Sequence, residues 1–167
     1  MTAPSSNVIP IETGANAMAI HGMLDVENHM YVTMRIEDQL FGIPVKNVRD
    51  VLRRQKITEI PLSATEVSGS LNLRGRIVTV INLRRRLRLT ETENDDKGMF
   101  VVVEYKGELF SLMVDSVGEV MTVPSHAIEK TPANLGGAWK EVTTGIYKMS
   151  GELLVIIDVQ SLLTLHH

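Results

Sequence analysis

The feature that most restricts the fold of this chain is an internal repeat. Residues 39–52 (QLFGIPVKNVRDVL) match residues 108–121 (ELFSLMVDSVGEVM), and residues 75–87 (GRIVTVINLRRRL) match residues 151–163 (GELLVIIDVQSLL). The offset between the matched blocks is 69 for the first pair and 76 for the second. Because both blocks occur in the same order, they indicate two copies of one module, with a longer middle in the second copy.

Each copy is predicted to consist mainly of antiparallel strands. Pairs of apolar runs separated by short turns predict four hairpins: 31–36 with 40–45, 69–73 with 77–82, 99–105 with 108–114, and 143–149 with 152–158. The run from Ile77 to Ile81 is almost entirely apolar, which predicts burial on both faces. Residues 45–52 and 83–87 carry apolar side chains at helical spacing and predict short amphipathic turns. The expected class is therefore all-β with short helices, built as small barrels.

The repeat also predicts the domain organisation. Residues 29–165 are expected to form a single domain, with a first module at 29–89, an acidic linker at 90–98 that holds no apolar residue, and a second module at 99–165. Exchange of strands or helices between the modules is left open. Residues 1–28 lack sustained periodicity and contain two prolines and two glycines, so they predict a flexible N-terminal tail.

Composition argues against enzymatic and metal chemistry. The chain has no cysteine, its five histidines lack ligand spacing, and no P-loop or nucleophile elbow occurs, so we expect no catalytic residue, metal or cofactor. No apolar run approaches eighteen residues and the first basic residue is Arg35, which predicts a cytoplasmic protein without membrane insertion. Net charge is −3 for residues 1–28, +7 for 29–89 and −7 for 90–167, a polarity that favours oriented contact with other proteins.

The basic stretch from Arg74 to Arg88 leaves two interpretations open. It could be a solvated rim, or it could be the phosphate-binding surface of a small barrel that binds nucleic acid. Barrels that bind single strands pair basic residues with aromatic stacking platforms. The seven aromatic residues of this chain do not interleave with the arginines, so we expect no nucleic-acid partner. A protein-interaction module is the favoured class, with a nucleic-acid-binding barrel as the alternative.

Residues 67–87 (VSGSLNLRGRIVTVINLRRRL) closely resemble the signature of CheW-like coupling domains, in which an N-L-R-G turn precedes a hydrophobic strand and an [N/D]-L-R-x-R-[FL] step. The resemblance extends from Met30 to Leu165 and departs at Arg88, where the family often has glycine. It implies two five-stranded β-barrels around a shared hydrophobic core. It also implies a non-enzymatic chemotaxis adaptor that joins chemoreceptor cytoplasmic tips to the regulatory domain of a CheA-type histidine kinase. A paralogue serving a non-flagellar chemosensory pathway fits equally well.

The resemblance also supplies candidate site residues. The receptor-binding positions that it implies are Val48, Arg49, Asp50, Gly69, Asn72 and Arg74. A carboxylate–guanidinium pair between Asp50 and Arg74 is predicted to hold their segments in register, and bidentate geometry would favour arginine over lysine. Gly75 and Gly151 are expected to be structural turn residues. The kinase contact is expected to be largely apolar, and the protein is expected to be recruited to membrane-associated receptor arrays.

Overall fold

In a computed structural model of the chain, residues 29–91 and 97–164 are described, and the predicted tail at 1–28 and the linker residues 92–96 lie outside them. The described residues form ten strands: β1 Met30–Ile36, β2 Gln39–Pro44, β3 Val48–Arg53, β4 Val67–Leu73, β5 Arg76–Asn82, β6 Met99–Tyr105, β7 Glu108–Val114, β8 Ser116–Thr122, β9 Thr143–Met149 and β10 Glu152–Ile157. Three short helices accompany them: α1 Leu83–Arg86, α2 Gly137–Val142 and α3 Val159–Leu162. All four predicted hairpins are present. Helix α2 has no counterpart among the described residues of the first copy and accounts for the longer middle of the second.

Strands are exchanged between the two copies. Sheet I has the order β8-β1-β2-β10-β9, and sheet II has the order β3-β6-β7-β5-β4. Each sheet thus combines the first hairpin of one copy with the remaining three strands of the other, joined by the parallel pairs β2–β10 and β5–β7. The two predicted modules correspond to the two copies of the repeat. Each sheet, however, contains strands from both copies, so neither copy forms a complete sheet by itself.

An ion pair crosses one of these joints in sheet I. Arg35 on β1 donates from both terminal nitrogens to the two carboxylate oxygens of Glu152 on β10, at 3.0 and 2.9 Å. The hydrogen bonds from Arg35 hold the pKa of the Glu152 carboxyl below its usual range. Both side chains are exposed, so solvent screening leaves this pair little influence on stability.

Each sheet is closed by the segment that follows its first edge strand. The chain leaving β3 returns to β4, where Thr58 and Ser70 exchange backbone hydrogen bonds of 2.8 Å in both directions. The chain leaving β8 returns to β9 in the same way, through Glu129 and Ile146. These equivalent bridges connect the segment after β3 or β8 to the strand at the opposite edge of the same sheet.

A single core lies between the sheets. It includes Met34 and Phe41 from sheet I and Val101 and Leu112 from sheet II, all with at most 1% exposure. A smaller cluster of buried side chains belongs to each sheet separately. The predicted all-β fold of two five-stranded units around a shared core is confirmed. Across the described residues, no helix has the length and apolar character needed to cross a bilayer.

The amphipathic turn predicted for residues 45–52 is wrong beyond its first residues. A 3₁₀ turn covers Val45–Asn47, and β3 follows directly and pairs with β6. A bulge between Val48 and Asp50 places one extra residue in β3. Because a bulge interrupts the two-residue alternation of a strand, it imitates helical spacing in the sequence. The turn predicted at 83–87 is confirmed as α1.

The uninterrupted burial predicted for Ile77 to Ile81 is also wrong at its first residue. Val78, Val80 and Ile81 are fully buried, but the side chain of Ile77 is 67% exposed. Ile77 lies beside the β4–β5 turn, at the end of the strand where neighbouring elements no longer cover the sheet. Hydropathy alone does not detect where a strand leaves the core.

Candidate functional site

The candidate receptor-binding residues lie at opposite edges of sheet II. Val48, Arg49 and Asp50 begin β3, whereas Asn72 and Arg74 belong to the β4–β5 hairpin. β3 begins where β6 ends, and β5 and β7 start in parallel from that same end of the sheet. The topology therefore brings the start of β3 and the tip of the β4–β5 hairpin to one end of the sheet.

The ion pair predicted between Asp50 and Arg74 is present. Arg74 Nη2 lies 3.2 Å from Asp50 Oδ2, and the other carboxylate oxygen, Oδ1, accepts a 2.9 Å hydrogen bond from the backbone N–H of Val51. The guanidinium contact is through one nitrogen, so the expected bidentate geometry is not formed. Asp50 is thus engaged within the chain, whereas the Arg74 side chain is 79% exposed and retains donors that face solvent.

The turn that carries Arg74 requires an unusual backbone. Arg74 and Gly75 both have positive φ, 52° and 86°, as in the two central residues of a type I′ hairpin turn. Asn72 supports this turn, because its Oδ1 accepts a 2.8 Å hydrogen bond from the N–H of Gly75. A left-handed conformation costs a residue with a side chain about 1–2 kcal/mol, and Lys106 adopts it in the β6–β7 turn as well. Gly151 has the same φ as Gly75 in the second copy.

Arg49 and Val48 have different surroundings. Arg49 is exposed, donates to the carbonyl of Lys46 at 2.8 Å and lies 3.5 Å from Glu104. Val48 is half-buried and packs against the shared core. Of these two residues, only Arg49 offers a charged group at the surface.

Gly69 has a structural explanation that needs no partner. It is buried, its φ is +151°, and a Cβ at this position would lie 2.2 Å from the carbonyl oxygen of Thr58. Gly145, its equivalent in the repeat, meets Glu129 at the other sheet closure in a similar way, at 2.8 Å. Glycine permits the close approach of the backbones that join the sheet edges.

Two exposed valines were not singled out from the sequence. Val51 on β3 pairs with Val101, and Val120 on β8 pairs with Val32. Val101 and Val32 both belong to the shared core, and paired residues on adjacent strands point to the same face. Val51 and Val120 are therefore the exposed margins of that core, one on each sheet. The internal repeat aligns Val51 with Val120, and this alignment is the sequence signal that could have identified the two residues.

Of the four arginines after β5, only Arg85 and Arg88 are exposed as a solvated rim would be. Arg86 is 4% exposed, and it donates to the carbonyls of Leu162 and Ser161 at 2.9 and 2.8 Å, at the end of α3. Arg84 is 14% exposed and pairs with Glu37 and Asp115. Arg85 pairs with Glu91, and Arg88 pairs with Glu141. These contacts join different parts of the fold and engage the four arginines within the chain.

The turn at Arg88 keeps its backbone conformation although the family often has glycine at this position. Its φ is 58°, the left-handed conformation that glycine adopts readily. The backbone therefore keeps the shape that a glycine would take, and the side chain reaches Glu141 at 3.2 Å.

The chemistry available at this end of sheet II is that of recognition. Within residues 29–91 and 97–164, no group of three or more carboxylate or imidazole side chains is arranged to hold a metal ion. The exposed groups include a guanidinium held by a carboxylate, further arginines and the apolar side chain of Ile77. Such a surface can bind a protein segment that presents acidic and apolar side chains.

Comparisons with known proteins agree on one family. A family model described as the CheW-like domain matches residues 30–166. The chemotaxis protein CheW of Bacillus subtilis is 30% identical over 132 residues, 79% of this chain and 85% of that protein. The chemotaxis protein CheW of Treponema pallidum is 26% identical over 140 residues, 81% of this chain and 82% of that protein. The crystal structure of the scaffolding protein TtCheW from Thermoanaerobacter tengcongensis matches with a TM-score of 0.73 at 26% identity, covering 83% of this chain and 99% of that one.

Proposed function

The chain belongs to the CheW-like domain family, and from this premise we propose that it couples chemoreceptor cytoplasmic tips to a CheA-type histidine kinase. Members of this family are scaffolding adaptors and not enzymes. The protein acts by binding two partners at once, and its recruitment to membrane-associated arrays follows from its contact with the receptor. Two weak contacts held in one assembly give high avidity without tight pairwise affinity.

The observation that carries the receptor contact is the exposed Arg74 guanidinium, held by Asp50 at the tip of the β4–β5 hairpin. Asp50 and Asn72 act as positioning residues, because their side-chain oxygens are used within the chain. Arg74 and Arg49 supply the charge. Gly69 belongs to the closure of the sheet and contributes no surface.

The kinase contact is proposed to use an apolar surface, as the centres of specific protein interfaces usually do. The exposed large apolar side chains of the described residues other than Ile77, which lies beside the Arg74 turn, are the candidates: Val51, Ile60, Leu62 and Val120. A kinase regulatory domain with this same fold would present equivalent edges.

Arg74→Ala is expected to leave stability nearly unchanged while weakening receptor recruitment. An exposed ion pair contributes about 0–1 kcal/mol, so the melting temperature should move little. Loss of the guanidinium removes the group that faces the partner. Co-sedimentation of the protein with membranes carrying chemoreceptors, with and without the kinase, measures the loss.

Two variants control this experiment. Arg74→Asn keeps a residue suited to the left-handed turn and should also lose recruitment. Arg76→Ala removes an exposed arginine two residues away and should retain it. If Arg74→Ala unfolds the chain, or if it binds receptors as the unaltered protein does, the proposed role of Arg74 is wrong.

We expect no salt-dependent retention of the protein on single-stranded DNA. The arginines at 84, 85, 86 and 88 are engaged by carboxylates or carbonyls, so this cluster is not free to displace counterions from phosphates. Chromatography on immobilised single strands at low salt measures this. Retention that falls steeply with salt, with a slope equivalent to several phosphates, would favour the nucleic-acid alternative.

A further inference from the structure

A recess of about 350 Å³ lies where the chain passes from sheet I to sheet II. Tyr31, the second residue of β1, and Pro44, the last residue of β2, line it from sheet I, and Tyr105 at the end of β6 lines it from sheet II. Lys46, in the 3₁₀ turn between β2 and β3, and residues 156–160, at the end of β10 and the start of α3, also line it. The segment that precedes β1 therefore joins the fold beside this recess.

Two polar side chains of the recess have no partner among the described residues. The Tyr31 side chain is 6% exposed, and its hydroxyl forms no hydrogen bond with the described residues. Burial raises the pKa of the Tyr31 hydroxyl, which therefore stays protonated and can donate. Lys46 is exposed and forms no ion pair in the described part of the chain. The Asp158 carboxylate at the same recess accepts the Ser161 hydroxyl at 2.7 Å and is used within the chain. The recess thus offers a donor and a cation to a negatively charged group.

The internal repeat supplies an equivalent recess in sheet II, where the contact that such a group would make is already formed. The lining residues that the repeat aligns are Tyr31 with Phe100, Pro44 with Met113 and Asp158 with Asn82. In sheet II the segment that precedes β6 carries Glu91, which accepts a 2.8 Å hydrogen bond from Arg85 of the lining. The segment before β6 thereby places a carboxylate on a cation of its recess. The segment before β1 holds the equivalent position in the first copy.

The sequence of the segment before β1 complements its recess. Residues 23–28 read MLDVEN and include no basic residue. Apolar side chains at Leu24 and Val26 alternate with carboxylates at Asp25 and Glu27. In an extended chain this alternation places the apolar groups on one face and the carboxylates on the other. One face of the segment therefore suits the half-buried floor of the recess, and the other suits a cation at its rim.

Glu27 lies close enough in the sequence to reach that cation. It precedes Tyr31 by four residues, and four residues span at most about 14 Å. β1 contacts the 3₁₀ turn that carries Lys46, and Tyr31 and Lys46 line the same recess. The Glu27 carboxylate is therefore within reach of the Lys46 ammonium.

We propose that residues 23–28 of this chain fold over the recess and pair the Glu27 carboxylate with Lys46. The apolar side chains of the segment cover the half-buried ring of Tyr105. An oxygen of the segment accepts the hydrogen bond that the Tyr31 hydroxyl can donate. The recess is thus a docking site for a part of the same chain.

The docked segment adjoins the proposed receptor surface. Arg49 donates to the carbonyl of Lys46 at 2.8 Å, so a carboxylate at Lys46 lies beside one of the two arginines that supply charge to the receptor contact. The segment and the receptor therefore compete for this side of the molecule, a consequence that rests on the proposed function. Docking of the segment weakens recruitment, and receptor binding displaces the segment.

A double-mutant cycle followed by NMR of the ¹⁵N-labelled full chain tests the docking. Glu27→Gln should shift the amide signals of Lys46, Tyr105 and residues 158–160, which are distant from it in the sequence. In a Lys46→Gln background the same substitution should leave the signals of Tyr105 and residues 158–160 unchanged, because the pair is already broken. Glu12→Gln removes a carboxylate from elsewhere in the same tail and should also leave these signals unchanged.

Co-sedimentation with membranes that carry chemoreceptors tests the competition. Glu27→Gln should raise the apparent affinity for the receptor roughly 1.5- to fivefold, the change expected when one exposed ion pair no longer holds the segment in place. Glu12→Gln, with the same change in net charge, should leave the affinity unchanged.

Several results would overturn the proposal. Unshifted signals at Tyr105 and residues 158–160 in Glu27→Gln, or equal shifts in Glu12→Gln, would show that the segment does not dock in the recess. Shifts that persist in the Lys46→Gln background would show that Lys46 is not the partner of Glu27. An unchanged receptor affinity in Glu27→Gln would overturn the competition. If the unaltered chain binds no receptor, the proposed function fails, while the NMR measurement, which needs no receptor, still decides whether the segment docks.

Discussion

Gly69→Ala is expected to destabilise the folded chain by roughly 3 kcal/mol or more, in the range of large core truncations. A Cβ at residue 69 would lie 2.2 Å from the carbonyl oxygen of Thr58 and 2.9 Å from its carbonyl carbon. Both atoms are backbone, and Thr58 forms with Ser70 the bridge that joins the sheet edges. The clash therefore opens the closure of sheet II or forces Gly69 out of β4. Urea unfolding, followed by far-UV circular dichroism, measures the change.

Alanine substitutions at two other glycines distinguish the effect of the steric clash on stability from the effect of backbone strain. Gly75 has a positive φ of 86°, and a Cβ there would meet no atom within 4 Å, so Gly75→Ala should cost about 1 kcal/mol from the left-handed conformation alone. The Cβ of Gly145→Ala would meet Glu129 and Ile128 at 2.8 Å without a strained φ. Its loss of unfolding free energy should therefore lie between those of Gly69→Ala and Gly75→Ala. A Gly69→Ala variant no less stable than Gly75→Ala would show that the Thr58 contact relaxes at little cost.

The expected destabilisation by Gly69→Ala also affects how receptor binding of Gly69 variants is interpreted. Gly69 and Arg74 lie on one hairpin, at its base and its tip, so a change at Gly69 displaces Arg74 indirectly. Loss of recruitment in a Gly69 variant should therefore be accompanied by lower stability. Loss of recruitment in an Arg74 variant should not. The two measurements together separate a structural residue from a binding residue.

Arg86→Ala is expected to destabilise the chain by roughly 2–4 kcal/mol, because hydrogen bonds from a charged donor are worth about 1.5–3 kcal/mol each and are not fully additive. Arg86 is buried and donates to the two last carbonyls of α3, at Ser161 and Leu162. Through these hydrogen bonds Arg86 connects α1, which follows β5 of sheet II, to α3, which follows β10 of sheet I. Its removal takes the guanidinium donor away from both carbonyls, of which Ser161 keeps the N–H of Thr164, and opens a gap between the sheets. Urea unfolding measures the loss.

Arg88→Ala is the matched control, two residues along the chain. Arg88 is 60% exposed and pairs with Glu141 at 3.2 Å, so its loss should cost less than about 1 kcal/mol. Arg86→Lys should lie between the two, since one ammonium lacks the planar fork that reaches both carbonyls. If Arg86→Ala and Arg88→Ala lower the unfolding free energy equally, the buried arginine does not join the sheets.

Local patterns in the sequence determined the class of fold, the hairpins and the repeat. Alternating and continuous apolar runs identify strands, and Arg74–Gly75 and Lys106–Gly107 mark hairpin turns, because these effects act within a few residues. The signature around Asn72 and Arg74 led to the family, and the ion pair with Asp50 could be predicted because both residues lie in that signature and its flank. The exposure of Ile77 and the strand β3 were missed, because a strand end and a bulge depend on neighbours from elsewhere in the chain.

Only the tertiary structure decided how the two copies combine and what each arginine does. Exchange of the first hairpins leaves every local pattern unchanged, since a strand has the same alternation in either sheet. Arg74, Arg86 and Arg88 are alike in the sequence, yet one faces solvent on a turn, one caps a buried helix end and one pairs at the surface. Their roles depend on atoms 24 to 76 residues away, such as Asp50, Leu162 and Glu141. Charge alone carries no information about those distant partners, and the fold supplies them.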